Sequence, residues 1–475
     1  MSKEYEFAGS RFLGKEVNQK KATLNDSSFV VASVEAGNTT TKCILTVTDL
    51  KTGTTEVIGK HVRLTREIQK PSQLSAVFGK TLSGTELTKE TLSELVKETI
   101  EQTLNEKGLT VEDVHFVVRS TGVTVETGEQ LQMIILALAD GCLKAGFPPR
   151  KMTGYLSLKN MPDLLRPHSY LECVYFDGAV ASVRPPESLK NGVIANEMEG
   201  ELALAGLKEA AKHSCIDFRN PCVAIDMGTT LSGRISDESG PYAQTIANFC
   251  GYAGAVADAL VLEIDDDKKS AYEFIPSENE TFEKGLETEL KNAKNEIMKS
   301  VSVMKIPADR KRFGPFHIQR TSDSENGLIL FGCDVGEDGS DLKRISEIGK
   351  EIYEKGGKAA VSRLADEVMS DIAVLLIKCV RDEELLKEGT LIGITGRAGI
   401  SGMKKELTFQ KLKEQKILEE PEKRIIFAED GLARGAAVMA RCMNSLGCPK
   451  NPIGGRRGGK CIMKERHALQ NKKQE

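Results

Sequence analysis

Apolar and β-branched positions fall into short runs divided by polar, glycine-bearing turns, and these alternate with helical stripes. Phe29 to Val34 is a mostly apolar run of strand length. After Glu35-Ala36-Gly37-Asn38-Thr39-Thr40, a second β-branched run follows from Cys43 to Thr48. Two short strands about a tight turn predict a β-hairpin, and Thr54 to Arg63 predicts a third strand of the meander. Residues 86–107 predict a helix with Leu92, Val96, Ile100 and Leu104 on one face and Gly108 as its stop. Val114 to Arg119 predicts a buried strand ending in Ser120-Thr121-Gly122. A helix from about Glu126 to Lys144 follows, closed by Gly146-Phe147-Pro148-Pro149. Leu171 to Phe176 reads as a short strand, and Glu197 to Lys212 as a helix rich in Ala and Leu.

The opening pattern then recurs. Asp226-Met227-Gly228-Thr229-Thr230 repeats the order acid, apolar, glycine, polar, threonine of Glu35-Ala36-Gly37-Asn38-Thr39, at a constant offset of 191 residues. Each copy has an apolar strand before it and another after it. Two copies this far apart predict a duplicated domain, with one hairpin from each lobe. A turn of this kind gathers backbone N–H groups and hydroxyls around one point, as a phosphate requires.

Further on, Phe249 to Gly254 leads into a helix containing Ala255 to Leu262. Residues 263–312 are highly charged, with Asp265-Asp266-Asp267 and a polar helix from about Glu278 to Lys299, and read as a solvated insertion. Residues 313–340 read as a strand pair. Its closing loop, Cys333 to Gly339, lacks the ligand spacing of a calcium-binding helix-loop-helix. Leu364, Val368, Ile372, Leu375 and Cys379 stripe a helix from about 359 to 381. Leu391 to Thr395 and Arg424 to Ala428 read as buried strands. The first runs into Gly396-Arg397-Ala398-Gly399, the second into Asp430-Gly431 and an Ala-rich helix to about Ser445.

With 475 residues the chain exceeds one hydrophobic core, so two or three domains are expected. The absence of tryptophan and an aromatic content of 5% argue against stacking platforms for bases. A net charge of −4 argues against general affinity for nucleic acid or membrane. The first residues are charged throughout and no apolar run is long enough to span a bilayer, so a cytoplasmic protein with reduced thiols is expected. From Arg441 onward the chain turns basic, nine Lys or Arg against two Glu, around Gly454-Gly455-Arg456-Arg457-Gly458-Gly459. A basic arm that docks an acidic partner protein is the reading for this tail. Gly79-Lys80-Thr81 is not a P-loop, because Leu74 stands where its first glycine belongs.

In order, the chain holds a phosphate hairpin, a strand-turn-helix, a second phosphate hairpin and a late strand ending in T-G-x-A before a Gly-Ala helix. This resembles the actin, sugar kinase and heat-shock seventy superfamily of two-lobed ATPases, over roughly residues 29–445. The stretches AGNTTTKCIL, VVRSTGV, AIDMGTT and ITGRAG are similar to those of diol dehydratase reactivases and reductive activators of corrinoid proteins. EDGLARGAAVMARCMNSLGCPKNPIGG and the whole layout resemble the methanogenesis marker protein 14 family of methanogenic archaea.

The resemblance implies an α/β fold of duplicated ribonuclease H-like domains, two lobes around a nucleotide cleft. Residues 1–28 would be an extension, 29–220 lobe I, 221–445 lobe II and 446–475 the tail. It implies that Gly37, Asn38, Thr39, Thr40 and Lys42 form the first phosphate loop, Gly228, Thr229 and Thr230 the second, and Gly396, Arg397 and Gly399 the adenosine loop. Ser120 to Val123 with the following helix, and Gly431 to Ala437, would be the two connecting segments of the hinge. Backbone amides and hydroxyls of both hairpins would grip the β- and γ-phosphates of ATP. Asp226 would hold Mg²⁺ through water, with Glu35 as a second metal residue. Glu35 replaces the aspartate usual there. Arg397 replaces the second glycine of the usual pair, where it would stack on adenine or partly occlude the site. Glu126 and Glu129 are candidates for orienting the attacking water, and Lys42 for neutralising phosphate.

The implied function is ATP-driven reactivation or maturation of a methanogenic, corrinoid or methyl-transfer enzyme. The alternatives are a small-molecule kinase of the same fold, or a nucleotide-gated scaffold without turnover. Residues 1–28 are too short to supply the ferredoxin domain of the reductive activators. Cys442, Cys448 and Cys461 lack the spacing of a cluster or zinc site and are expected to be incidental thiols. Cys142 and Cys173 could imitate the cluster cysteines of hydroxyacyl-CoA dehydratase activators.

Overall fold

A computed structural model describes residues 24, 27–68, 76–123, 128–152, 155–157, 173–175, 197–238, 245–274, 285–318, 329–443, 456–457 and 460–461. All but Leu24, Ser27 and Ser28 of the N-terminal extension, together with Glu126, Cys448 and most of the basic tail, lie outside the described residues, as do the side chains of Cys173, Cys442 and Cys461.

The first apolar run forms β1 (Ser28–Ala36), which turns directly into β2 (Thr40–Asp49) and then β3 (Thr54–Leu64). After α1 (Lys89–Lys107), β4 (Phe116–Thr121) returns parallel to β1, giving the order β3-β2-β1-β4. Helix α1 starts later than its periodicity suggests, because Glu86–Thr88 is extended and Thr88 caps the helix by accepting from the amide of Thr91. Alternation along β1 divides its side chains between two faces. Val30, Ala32, Val34 and Ala36 pack with α1 and with α2 (Gly128–Lys144), while Phe29 and Val31 face the opposite way.

The second lobe repeats this wiring. β5 (Cys222–Met227), β6 (Leu231–Ser236) and β7 (Thr245–Gly251) form the meander, and β10 (Leu391–Thr395) lies parallel to β5 as β4 does to β1. Between them come α4 (Gly254–Leu262), α5 (Glu287–Ser300), β8 (Val301–Lys305), β9 (Ile329–Val335) and α6 (Leu342–Asp382). After β10 come α7 (Lys404–Glu414), β11 (Ile425–Phe427) and α8 (Gly431–Met443). The seven strands run β8-β9-β7-β6-β5-β10-β11. The chain therefore adopts a duplicated, two-lobed α/β architecture, as expected from the repeated hairpins. The charged stretch 263–312 is not detached from it, since it supplies edge strand β8. Helix α6 carries the expected stripe, but it begins at Leu342 and breaks at Gly357, whose φ of 65° lies in the left-handed region.

Each lobe's last helix lies on the other lobe's sheet. Helix α3 (Glu197–Ala211) ends lobe I, yet Leu204, Leu207, Ala210 and Ala211 pack on Cys222 and Ala224 of β5. Helix α8 ends lobe II, yet Ala436, Ala437 and Ala440 pack on Phe29, Val31, Phe116 and Val118 of lobe I. The two helices touch backbone to backbone. A Cβ on Gly206 would lie 1.7 Å from the carbonyl of Gly431, and one on Gly435 2.0 Å from that of Leu202. The buried pair Glu209–Arg441, 3.2 Å apart, ties them again farther along. Thus α3 rather than α2 crosses α8, and α2 packs on α1. No helix among the described residues is long and apolar enough to cross a membrane.

Candidate functional site

The turn of the first hairpin is narrow because the amide of Gly37 donates to the carbonyl of Thr40 at 2.9 Å. That takes the Gly37 N–H out of use for a ligand and leaves Asn38 and Thr39 at the tip. The hydroxyl of Thr65 braces the turn by donating to the Gly37 carbonyl at 2.8 Å. The side chain of Asn38 is buried and spent on the fold, donating to the carbonyl of Gly122 at 2.7 Å and accepting from the amide of Leu82 at 3.0 Å. Thr40 opens β2, with its carbonyl holding Gly37.

The second hairpin is braced from the opposite side. Gly228 accepts from the amide of Gly254 at 2.6 Å, and Thr229 from those of Ala253 and Ala255, so α4 starts against this loop. Thr230 is buried beside it. The two tips meet: Thr229 donates its hydroxyl to that of Thr39 at 2.9 Å, and Thr39 donates to Oδ2 of Asp258 on α4 at 2.8 Å.

Carboxylates gather next to this contact. Glu35, next to last on β1, forms an ion pair with Lys42, its cross-strand partner, at 3.0 Å. Burial would lower the Lys42 ammonium, but the charges of Glu35, Asp226 and Asp430 outweigh it and raise its pKa. Asp226, next to last on β5, is buried; that burial, with the charge of Glu35, pushes its carboxyl up to about 7 against the pull of Lys42. Ser232 donates to it at 3.4 Å.

A third carboxylate, Glu199 on the first turns of α3, was not among the residues expected from sequence. It is 3% exposed, and burial, Glu35 and Asp226 together raise its pKa well above the ordinary value. A Cβ on Gly122 would come within 3.1 Å of its Oε1 and 3.8 Å of the Thr230 hydroxyl, so Glu199 borders both the first connecting segment and the second loop. A sequence signal existed. Glu199 falls on the buried stripe of α3 with Leu202, Ala203 and Leu207, where an acid is out of place unless a site uses it.

Gly396 follows β10 at φ 83°, and a Cβ there would lie 2.5 Å from Oδ1 of Asp226. Only glycine lets this turn pass so close to the acid. Gly399 is buried against Met227 and Ile394 rather than lining a cleft. The guanidinium of Arg397 lies 3.7 Å over the ring of Tyr272, a cation–π stack. Asp430, at the start of α8, pairs with Lys60 of β3 at 2.5 Å across the lobes.

The structure thus brings together Glu35, Thr39, Lys42, Asp226, Thr229, Thr230 and Gly396. Glu129 sits exposed in the first turn of α2, with no described contact to either loop, and Glu126 lies outside the described residues. Cys142 is buried, its thiol pushed up to about 12 by that burial, which suits a core residue rather than an exposed cluster ligand. Among the described residues no three His, Cys, Asp or Glu side chains form a closed metal cage. Three buried carboxyls, Glu35, Asp226 and Glu199, crowd one ammonium, and their mutual repulsion, which helps raise Asp226 and Glu199, is what a hydrated Mg²⁺ bound to phosphate oxygens and reached through water would offset.

A family model described as "Uncharacterized protein conserved in archaea (DUF2114)" matches residues 28–470. An uncharacterized protein of Methanocaldococcus jannaschii is 45% identical over 450 residues, covering 94% of this chain and 92% of its own. Among solved structures, component A of (R)-2-hydroxyglutaryl-CoA dehydratase from Acidaminococcus fermentans is similar at 12% identity and a TM-score of 0.33, over 86% of this chain and 95% of that one. A reductive activator for a corrinoid, iron-sulfur protein is similar at 11% identity and a TM-score of 0.32. That match covers 88% of this chain and 61% of the other.

Proposed function

The chain belongs to this family of proteins conserved in archaea, and from that footing we propose that it binds Mg·ATP between its two hairpins, hydrolyses the γ-phosphate, and uses the cycle to reactivate or mature a protein partner. The observation that carries the reading is the contact of Thr39 with Thr229 beside three carboxylates and Lys42. Two hydroxyl-bearing turns from different lobes, with cation-seeking acids next to them, suit a triphosphate.

Thr39, Thr229 and Thr230 would donate hydroxyls to phosphate oxygens, and Lys42 would spread the charge that develops on them. Asp226 and Glu35 would hold Mg²⁺ through water, and an ion held there would supply charge neutralisation for the phosphates. Glu199 is the candidate base. A water oxygen bonds to the γ-phosphorus, its proton passes to the Glu199 carboxylate, and the bridging P–O bond breaks to release ADP and phosphate. The crossing of α3 and α8 would convert lobe closure on the nucleotide into a change of interlobe angle that a partner can feel.

The partner class rests on the likeness of AGNTTTKCIL, AIDMGTT and ITGRAG to corrinoid reactivases and activators. A corrinoid or methyl-transfer enzyme of methanogenesis is therefore the proposed client. Phosphate release from ATP without an added acceptor, stimulated by such an enzyme, is the expected result. Release that depends strictly on a small metabolite would make the protein a kinase, and tight binding without release would make it a scaffold.

A further inference from the structure

Residues 269–273, within the charged stretch, are fastened at three points to elements around the two hairpins. Ala271 donates its amide to Oδ1 of Asp258 at 2.6 Å. Glu273 accepts from Arg66 of lobe I at 2.6 Å, while its other oxygen accepts from the amides of Lys269 and Ser270, both at 3.1 Å. Tyr272 lies under the guanidinium of Arg397, in the adenosine loop. Asp258 is the common node, since its second oxygen accepts from Thr39 at the tip of the first hairpin.

Thr39 has one hydroxyl hydrogen, and Asp258 holds it. A terminal phosphate gripped by both hairpins needs that same hydrogen. Its charge would then lie within hydrogen-bonding range of the Asp258 carboxylate, in a half-buried setting where like charges repel strongly. Phosphate and carboxylate compete for one donor. A carboxylate pushed away from the phosphate would carry its Oδ1 off the Ala271 amide, and the segment would lose its central fastening.

We propose that residues 269–273 are a strap that the terminal phosphate unfastens, with Asp258 holding Thr39 in the phosphate's stead until a triphosphate takes the hydroxyl away. A diphosphate, which lacks the γ-phosphate that would take the Thr39 hydroxyl, leaves the strap in place. The inference rests on the nucleotide reading above and adds to it the element that reports which nucleotide is bound. It also indicates where a partner would sense the triphosphate state, on the surface carrying Lys269, Tyr272 and Glu273.

Hydrogen exchange of the full chain tests this, with one arm that needs no nucleotide. In the free protein, Thr39→Val on the opposite lobe is expected to speed exchange at Ala271 to Glu273 by about fivefold or more, as local opening costs less. Unchanged exchange there would overturn the strap, whatever the protein binds. In the wild type, a non-hydrolysable ATP analogue with Mg²⁺ should produce the same acceleration and ADP should not; an equal response to both would overturn the γ-phosphate as the releasing group. Asp258→Asn, which removes the repulsion and keeps the shape, should tighten the ATP analogue by about tenfold, or ~1.4 kcal/mol, with ADP affinity unchanged. Equal affinity of Asp258→Asn and wild type for the analogue would count against the competition. A wild type that binds no nucleotide would refute the proposed function and the phosphate trigger together, while the Thr39→Val result still decides whether the strap exists.

Discussion

The hydroxyls of Thr39 and Thr229 lie 2.9 Å apart although 190 residues separate them. Each stands at the tip of a hairpin whose first strand closes on an acid and an apolar residue, so the two copies meet at one point. A phosphate must part these hydroxyls to sit between them, since each would need its own hydrogen-bond distance to a phosphate oxygen. Thr39→Val and Thr229→Val should each weaken a non-hydrolysable ATP analogue by about tenfold, the cost of one hydrogen bond to a charged group. Calorimetry checks this, and ADP should be affected less.

Asp226 borders both loops and the turn at Gly396, so its removal should stop the reaction without unfolding the chain. Asp226→Ala is expected to lower phosphate release by about a hundredfold or more, as loss of a preorganised electrostatic group does. A steady-state phosphate assay with circular dichroism on the same sample separates loss of function from loss of fold. Full turnover would refute the assignment.

Glu199→Gln keeps the volume of the side chain and removes its capacity to take a proton. The expected outcome is a fall in kcat by about 10²–10⁴, with affinity for the ATP analogue within about threefold of wild type. A purely structural role would instead lower the melting temperature and affinity together.

The pH dependence follows from the raised carboxyls. Asp226 has a folded value of about 7 against an ordinary value near 3.8, with burial as the main cause, so the unfolded chain releases this proton first. Its contribution disfavours the folded state progressively as pH rises from about 4 to 7, and that cost is complete above 7. Glu199, raised by the same causes, acts in the same sense. The metal-free protein should therefore melt lower at pH 8 than at pH 6, and Asp226→Asn should regain roughly 3 °C at pH 8. Mg²⁺ affinity should rise over the same interval, because the ion competes with protons. Calorimetric scans at the two pH values, with and without Mg²⁺, check both effects.

At the hinge, Glu209 and Arg441 are each 2% exposed and join α3 to α8. Arg441→Met should destabilise the chain by about 1–3 kcal/mol, because it removes the buried cation from Glu209 and leaves that carboxylate to Lys212. Adding Glu209→Gln should recover part of that loss. Denaturant titration of the single and double variants gives the coupling.

Much of this was legible in the chain. Acid, apolar residue and glycine between two β-branched runs can hardly be anything but a hairpin, and its repetition predicted two lobes. The stripe from Leu364 to Cys379 declared the C-terminal part of α6, whereas its first part, Leu342 to Gly356, was hidden by the break at Gly357. The exchange of α3 and α8 between lobes was not legible. Ala- and Gly-rich faces such as Gly206 and Gly435 announce close packing without naming the partner. Asp258 and Tyr272 escaped notice because their roles arise from contacts across 219 and 125 residues, which no local period encodes. A duplicated T-G step, Thr121-Gly122 and Thr395-Gly396, was present in the sequence and marks equivalent strand ends in the two sheets.

The structure of the protein with Mg²⁺ and a non-hydrolysable ATP analogue tests the central claim most directly. The account predicts the terminal phosphate between the Thr39 and Thr229 hydroxyls, now each bonded to it rather than to one another, with Asp226 and Glu35 facing the ion. A nucleotide bound elsewhere, or hairpin tips still in mutual contact with the analogue bound, would contradict it.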